Sequence, residues 1–147
     1  MTEEQQTEEK KVAFASPDWV EIARGVLEDI VSEHGQEGQS FSVCEAFADA
    51  PAEIADEDGF AAWNFYIDGT SVRVGCGRVD DTDVHLQATW ELVLPVARLV
   101  YTPELMAEWK KNPPERPPDP NASQSGDMTK MPPYHLELHN RMALVTE

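Results

Sequence analysis

Asp68-Gly69 sits between two runs in which every second residue is apolar, and no other feature limits the fold of this chain as tightly. Trp63, Phe65 and Ile67 alternate with Asn64, Tyr66 and Asp68 before it, and Val72, Val74 and Cys76 follow at the same spacing. Alternation of period two marks a half-buried strand, and an Asp-Gly pair readily adopts the positive φ that reverses a tight hairpin. The segment is therefore expected to fold as a β-hairpin.

The residues before the hairpin supply a helix and a strand. Ser16 is a good N-cap, Pro17 suits the first helical position, and Asp18 complements the helix dipole. Trp19, Ile22, Ala23, Val26, Leu27, Ile30 and Val31 then fall on one face at helical spacing. Gly35 is expected to end the helix in the left-handed conformation, with Gly38 continuing the break. Phe41, Val43, Glu45 and Phe47 share one face of a first strand, and Ser42, Cys44, Ala46 and Ala48 the other, until Pro51 stops it. Residues 52–59 are acidic and read as a loop or a short helical turn.

Beyond the hairpin, Val84, Leu86 and Ala88 form a further strand face opposite His85, Gln87 and Thr89. From Trp90 the period turns helical, with Leu92, Val93, Val96, Ala97 and Val100 in one stripe and Pro95 near enough the start to be tolerated. Thr102-Pro103-Glu104 caps another helix carrying Leu105, Met106 and Trp109, which must stop before Pro113. Residues 112–132 are rich in Pro, Asn, Ser, Asp and Gly and read as a surface loop or lid. A last helix over about 133–145 is expected to bury Leu136, Leu138, Met142 and Val145. The organisation is thus a disordered acidic tail over 1–14 and a single α+β domain over 15–147.

A chain of 147 residues with 41% hydrophobic content builds one real core, whereas two domains would each be marginal. Its 28 acidic and 11 basic residues leave a net charge of −17, which repels nucleic-acid backbones and anionic bilayers over most approaches and argues against both as partners. The N-terminal Thr, Glu, Gln and Lys run is neither a signal peptide nor a membrane span, so a cytoplasmic location is expected. Cys44 and Cys76 have no Cys-x-x-Cys spacing and read as small buried hydrophobes.

The run 61–70, then 71–79, then Asp81-Thr82-Asp83-Val84-His85-Leu86, resembles the sterol carrier protein type 2 family over about residues 17–106. The likeness lies in element order and residue type: a strand with aromatics, a turn, a strand, an Asp-rich connection, and a strand before a helix. It implies a curved, mainly antiparallel sheet of four to five strands with helices on one face, above an apolar tunnel for fatty acyl or sterol-like molecules. The family's last strand would fall at 117–124, where this chain is Pro-rich, so four strands is the alternative to five. By position, the ligand-lining residues implied are Trp63, Phe65, Ile67, Val74, Leu86, Trp90 and Met106.

Other constellations carry alternatives. His135 and His139 share a helical face at metal-ligand spacing, but Glu137 lies about 200° round from His135, so solvent-facing or capping histidines are the expectation. Glu45 interrupts an apolar strand face; it is either a desolvated carboxylate suited to proton abstraction, or exposed at a bulge or sheet edge. His85 with Asp68 or Asp83 forms a possible general-base pair of the kind used by small cone-shaped isomerases and dehydratases of the nuclear transport factor 2-like class. Gly75-Cys76-Gly77 lacks the setting of a phosphate cradle. The expectation is therefore a non-enzymatic carrier of an apolar small molecule, with no catalytic set, metal or cofactor. The small cone-fold enzyme is the alternative, and an accessory role through self-association or a larger enzyme is the third reading.

Overall fold

The computed structural model describes residues 11–115 and 118–147. Helix α1 (Pro17–His34) leads into strand β1 (Ser40–Ala48), the hairpin β2 (Ala61–Asp68) and β3 (Ser71–Cys76), and strand β4 (Val84–Thr89). Two helices follow, α2 (Trp90–Ala97) and α3 (Pro103–Lys111), then strand β5 (Ser123–Gly126), a 3-10 turn (Met128–Lys130) and helix α4 (His135–Ala143). The five strands form one mixed sheet in the order β3-β2-β1-β4-β5, in which β1 and β4 are parallel and the other pairs antiparallel. This is an α+β fold, with β1 at its centre.

The register fixes which residues share a face. Val43, Glu45 and Phe47 stand opposite Phe65, Trp63 and Ala61 on β2, and opposite Val84, Leu86 and Ala88 on β4. Against this face α1 buries Trp19, Ala23, Leu27, Ile30 and Val31, and α4 buries Leu138 and Met142. Ser16 Oγ accepts from the Trp19 N–H at 3.1 Å, the cap its residue type implies.

The opposite face is covered by the connection over 77–83, which carries the chain from the β3 edge back to β4. Strands β3 and β4 run parallel with β2 and β1 between them, and a connection between parallel strands usually takes a dozen or more residues. Here polar side chains of the outer face hold a shorter one down. Asn64 Nδ2 donates to the Gly77 carbonyl at 3.0 Å, the Val79 N–H lies 3.5 Å from Cys44 Sγ, and Ser42 Oγ accepts from the Asp83 N–H at 2.7 Å. His85 Nε2 donates to the Val79 carbonyl at 3.0 Å and lies 3.3 Å from Thr82 Oγ1. Burial opposes ionisation of Asp83, yet bonds from Lys130 and Ser42 outweigh it and hold the carboxyl below its ordinary value.

Several expectations are corrected. The hairpin turns at Gly69-Thr70, one residue later than Asp68-Gly69, because Asp68 pairs with Ser71; Gly69 has φ +62°, the glycine-first arrangement of a two-residue turn. Gly35 keeps an extended conformation with φ −63°, and its lack of a side chain serves close packing instead. A Cβ there would lie 2.4 Å from the Gly69 carbonyl oxygen and 2.5 Å from that of Val31. The stretch 112–132 is not loop alone, since it contains β5, which makes the sheet five-stranded, within the four to five strands expected. Strand β5 is exposed throughout and held through its backbone, so apolar alternation had no reason to mark it. Cys44 is buried, but Cys76 is exposed at the end of the edge strand. Leu136 is also exposed, and α3 buries nothing.

Of the tail expected over 1–14, residues 1–10 lie outside those described, while residues 11–14 belong to the folded domain. Val12 pairs in parallel with Thr146, with Val12 N–H to Val145 O at 2.9 Å and Glu147 N–H to Val12 O at 2.8 Å. Phe14 is only 4% exposed, and its carbonyl accepts from Trp90 Nε1 at 2.9 Å. Trp19 Nε1 donates to Thr146 Oγ1 at 3.0 Å. The two ends of the described domain are thereby tied side by side against the core.

Candidate functional site

Glu45 lies on the central strand, on the face that the helices cover. Neither a sheet edge nor a bulge exposes it, because β1 pairs continuously with β2 on one side and β4 on the other. Its register partner Trp63 donates the indole Nε1–H to Glu45 Oε1 at 2.6 Å. Among the described residues no other side chain donates to this carboxyl. Burial pushes the Glu45 pKa up from its ordinary value, and the Trp63 bond offsets that only in part.

The carboxyl nevertheless keeps partial accessibility, because it faces a chamber of about 190 Å3 between sheet and helices. Glu45, Phe47 and Trp63 form its floor. Phe14 and Trp19 form one wall, while Val93, Val96 and Ala97 of α2 form another. The roof is α4, which contributes His135, Leu138, His139 and Met142. The aromatic rings brace one another: Trp19 meets Trp63 edge-on with centroids 5.1 Å apart, and Phe14 lies 4.7 Å from Phe47.

The two histidines of α4 turn inward, contrary to the expectation of solvent-facing rings. Their four-residue spacing puts both on the helix face that covers the sheet. Burial, and the neighbouring imidazole of His139, hold the His135 pKa below its ordinary value. His139 donates Nε2–H to the Leu99 carbonyl at 2.9 Å and stacks on Tyr101 with centroids 4.5 Å apart. Asn140 fastens the same segment, accepting from the Tyr101 N–H at 2.8 Å and donating to its carbonyl at 3.0 Å.

Of the ligand-lining residues expected from the sequence, the chamber contains Trp63 alone. Phe65, Ile67 and Val74 are buried in the packed core, where Phe65 and Ile67 border a gap beside Leu27 and Leu138 too small for a water molecule. Leu86 and Trp90 are partly buried against the core. Met106 is 49% exposed on α3 and faces no interior space. Sequence reasoning missed Phe14, placed in a tail, and the inward turn of His135. The signal for the first was an aromatic just ahead of the Ser16 cap; for the second it was the helical stripe that His135 shares with Leu138, His139 and Met142.

His85 does not pair with Asp68 or Asp83. Its ring serves the crossover on the far side of the sheet, while Asp83 accepts from the Ser42 N–H at 3.0 Å and from Lys130 Nζ at 3.1 Å. A separate groove of about 710 Å3 runs along the surface between the end of α1 and α4, where Val100, Leu136 and Leu144 are exposed. At its rim Glu33, His34 and Glu137 bring three potential metal-ligand atoms within 4.8 Å of one another. There His34 Nε2 lies 3.6 Å from a carboxylate oxygen of each acid, in an exposed polar cluster. The groove is larger, but the chamber holds the desolvated acid and imidazole.

Measured against known protein families, curated protein sequences and solved structures, the chain matches none. Among the described residues no helix is long and apolar enough to cross a membrane.

Proposed function

We propose that this chain is a non-enzymatic binding module for a small apolar ligand, taken up in the chamber between sheet and helices. The observation that carries the reading is the hollow itself, a space of about 190 Å3 walled mainly by aromatic and aliphatic side chains, with Glu45, His135 and His139 among them. An apolar cavity of ~150 Å3 is enough to hold benzene. Pockets for drug-sized ligands run to ~300–1,000 Å3. The chamber therefore suits a single ring or the end of a short acyl chain, and an entire fused-ring sterol exceeds it. Helices covering one face of a five-stranded sheet, with a hollow beneath, also accord with the sterol carrier protein type 2 resemblance.

The test is a titration of Trp fluorescence with straight-chain and cyclic alcohols of increasing size. Saturable binding that strengthens until the space is filled, and then levels off, is the expected result; no saturation with any member would remove the proposal. The Ala97→Phe variant places a ring in the chamber wall and is expected to weaken binding at least tenfold.

A further inference from the structure

Glu45 gives the chamber a chemistry that plain apolar binding leaves unused. One carboxyl oxygen is held by Trp63. Taking a carboxylate out of water is expensive unless a cation stands beside it. Among the described residues no lysine or arginine lines this space. The titratable groups that face Glu45 are His135 and His139 of α4, since α1, α2 and β2 contribute only apolar side chains and the indoles to the lining. His139 has committed Nε2–H to the Leu99 carbonyl.

The walls point to what would complete the site. Phe14, Trp19, Phe47 and Trp63 all border the chamber. Aromatic faces carry negative potential and attract alkylated ammonium groups, by more where water is excluded. At long range the net charge of −17 draws cations in and repels anions, so an ionised fatty acid meets both this field and Glu45. The volume admits a compact alkyl or single-ring body.

We propose that the ligand is a small organic ammonium ion, its charge against the Glu45 carboxylate and its carbon skeleton against the four aromatic rings. The inference rests on the binding reading above and names its ligand class. Binding releases a proton wherever Glu45 is protonated in the empty chamber and ionised in the complex. The Glu45 pKa, raised by burial, extends that range upward in pH.

Isothermal titration of the full chain at low salt, with cyclohexylamine, cyclohexanol and cyclohexanecarboxylate, separates the possibilities. The expected order is amine over alcohol by about tenfold, with the carboxylate weakest. Repeating the amine titration from pH 4 to 8 in pairs of buffers of different ionisation enthalpy should reveal proton release over part of that range. In Glu45→Gln, where the amide oxygen still accepts from Trp63, the amine-to-alcohol preference should fall to about one. Alcohol binding equal to or tighter than amine binding overturns the ammonium proposal and leaves the apolar-ligand reading standing. An unchanged preference in Glu45→Gln, with Trp fluorescence confirming a native fold, overturns it too. Failure of all three probes to bind removes both.

Discussion

Replacing Glu45 by Gln keeps an acceptor for the Trp63 indole and removes the proton, so it isolates what ionisation does to the fold. The folded pKa of Glu45 lies above its ordinary value of 4.5. Its contribution to stability is therefore fully present below that value and is lost as pH rises through the folded pKa. Urea midpoints measured from pH 4 to 8 should show the native chain declining relative to Glu45→Gln across that window; parallel curves would place the carboxyl in water. His135 has the opposite sign, since its folded pKa lies below 6.5 and its contribution is lost as pH falls through that lowered value. At Gly126 the backbone has φ +101°, and a Cβ would lie 2.0 Å from the Asp83 carbonyl oxygen. Gly126→Ala is expected to cost about 1–3 kcal/mol in urea denaturation, through strain and loss of β5 pairing.

At the scale of the element, α4 decides whether there is a chamber. Leu138 is buried against the core, and truncation to Ala should destabilise the chain by about 2–5 kcal/mol. Arg141 joins α4 to α1 through Asp29 at 2.8 Å, but both side chains are substantially exposed, so Arg141→Ala should cost about 1 kcal/mol or less. Denaturant midpoints for the two variants test whether packing or charge seats the helix, and equal losses would contradict the packing account. The elements with strong local signals were legible in the sequence: α1 from its Ser16 cap and apolar stripe, the hairpin from its alternation, and α3 from Thr102, whose Oγ1 accepts from the Leu105 N–H at 3.1 Å. Strand β5 was not, because Ser-Gln-Ser-Gly pairs with β4 through main-chain groups that every sequence possesses. Its approach is secured by Asp119, which accepts from the Thr89 N–H at 2.9 Å and from Thr89 Oγ1 at 2.7 Å, an interaction across thirty residues.

For the molecule as a whole, the excess of acidic residues acts on both stability and recognition. A net charge of −17 repels itself in the compact state, and added salt screens that repulsion over about 10 Å at 0.1 M. Raising sodium chloride from 10 mM to 0.5 M should therefore lift the thermal midpoint by ~3–5 °C, on the order of 1 kcal/mol, as read by circular dichroism. A falling midpoint would mean that attractive ion pairs such as Arg78 with Asp56 and Asp58 outweigh the net repulsion.

The order of most elements, the inward apolar faces of β1 and β2 and the acidic field follow from the sequence alone, because caps, turns and periodicity act over a few residues and charge is additive. The candidate site does not. Glu45 read as a residue exposed at a bulge or edge, or as a desolvated acid, until β4 lay beside β1, and His135 and His139 read as solvent-facing or capping until α4 was seated above the sheet. Phe14 became a wall only when Val12 paired with Thr146 at the far end of the chain. Each of these placements depends on contacts between residues distant in sequence, and a hollow is a volume left between elements, which no local pattern of residues encodes.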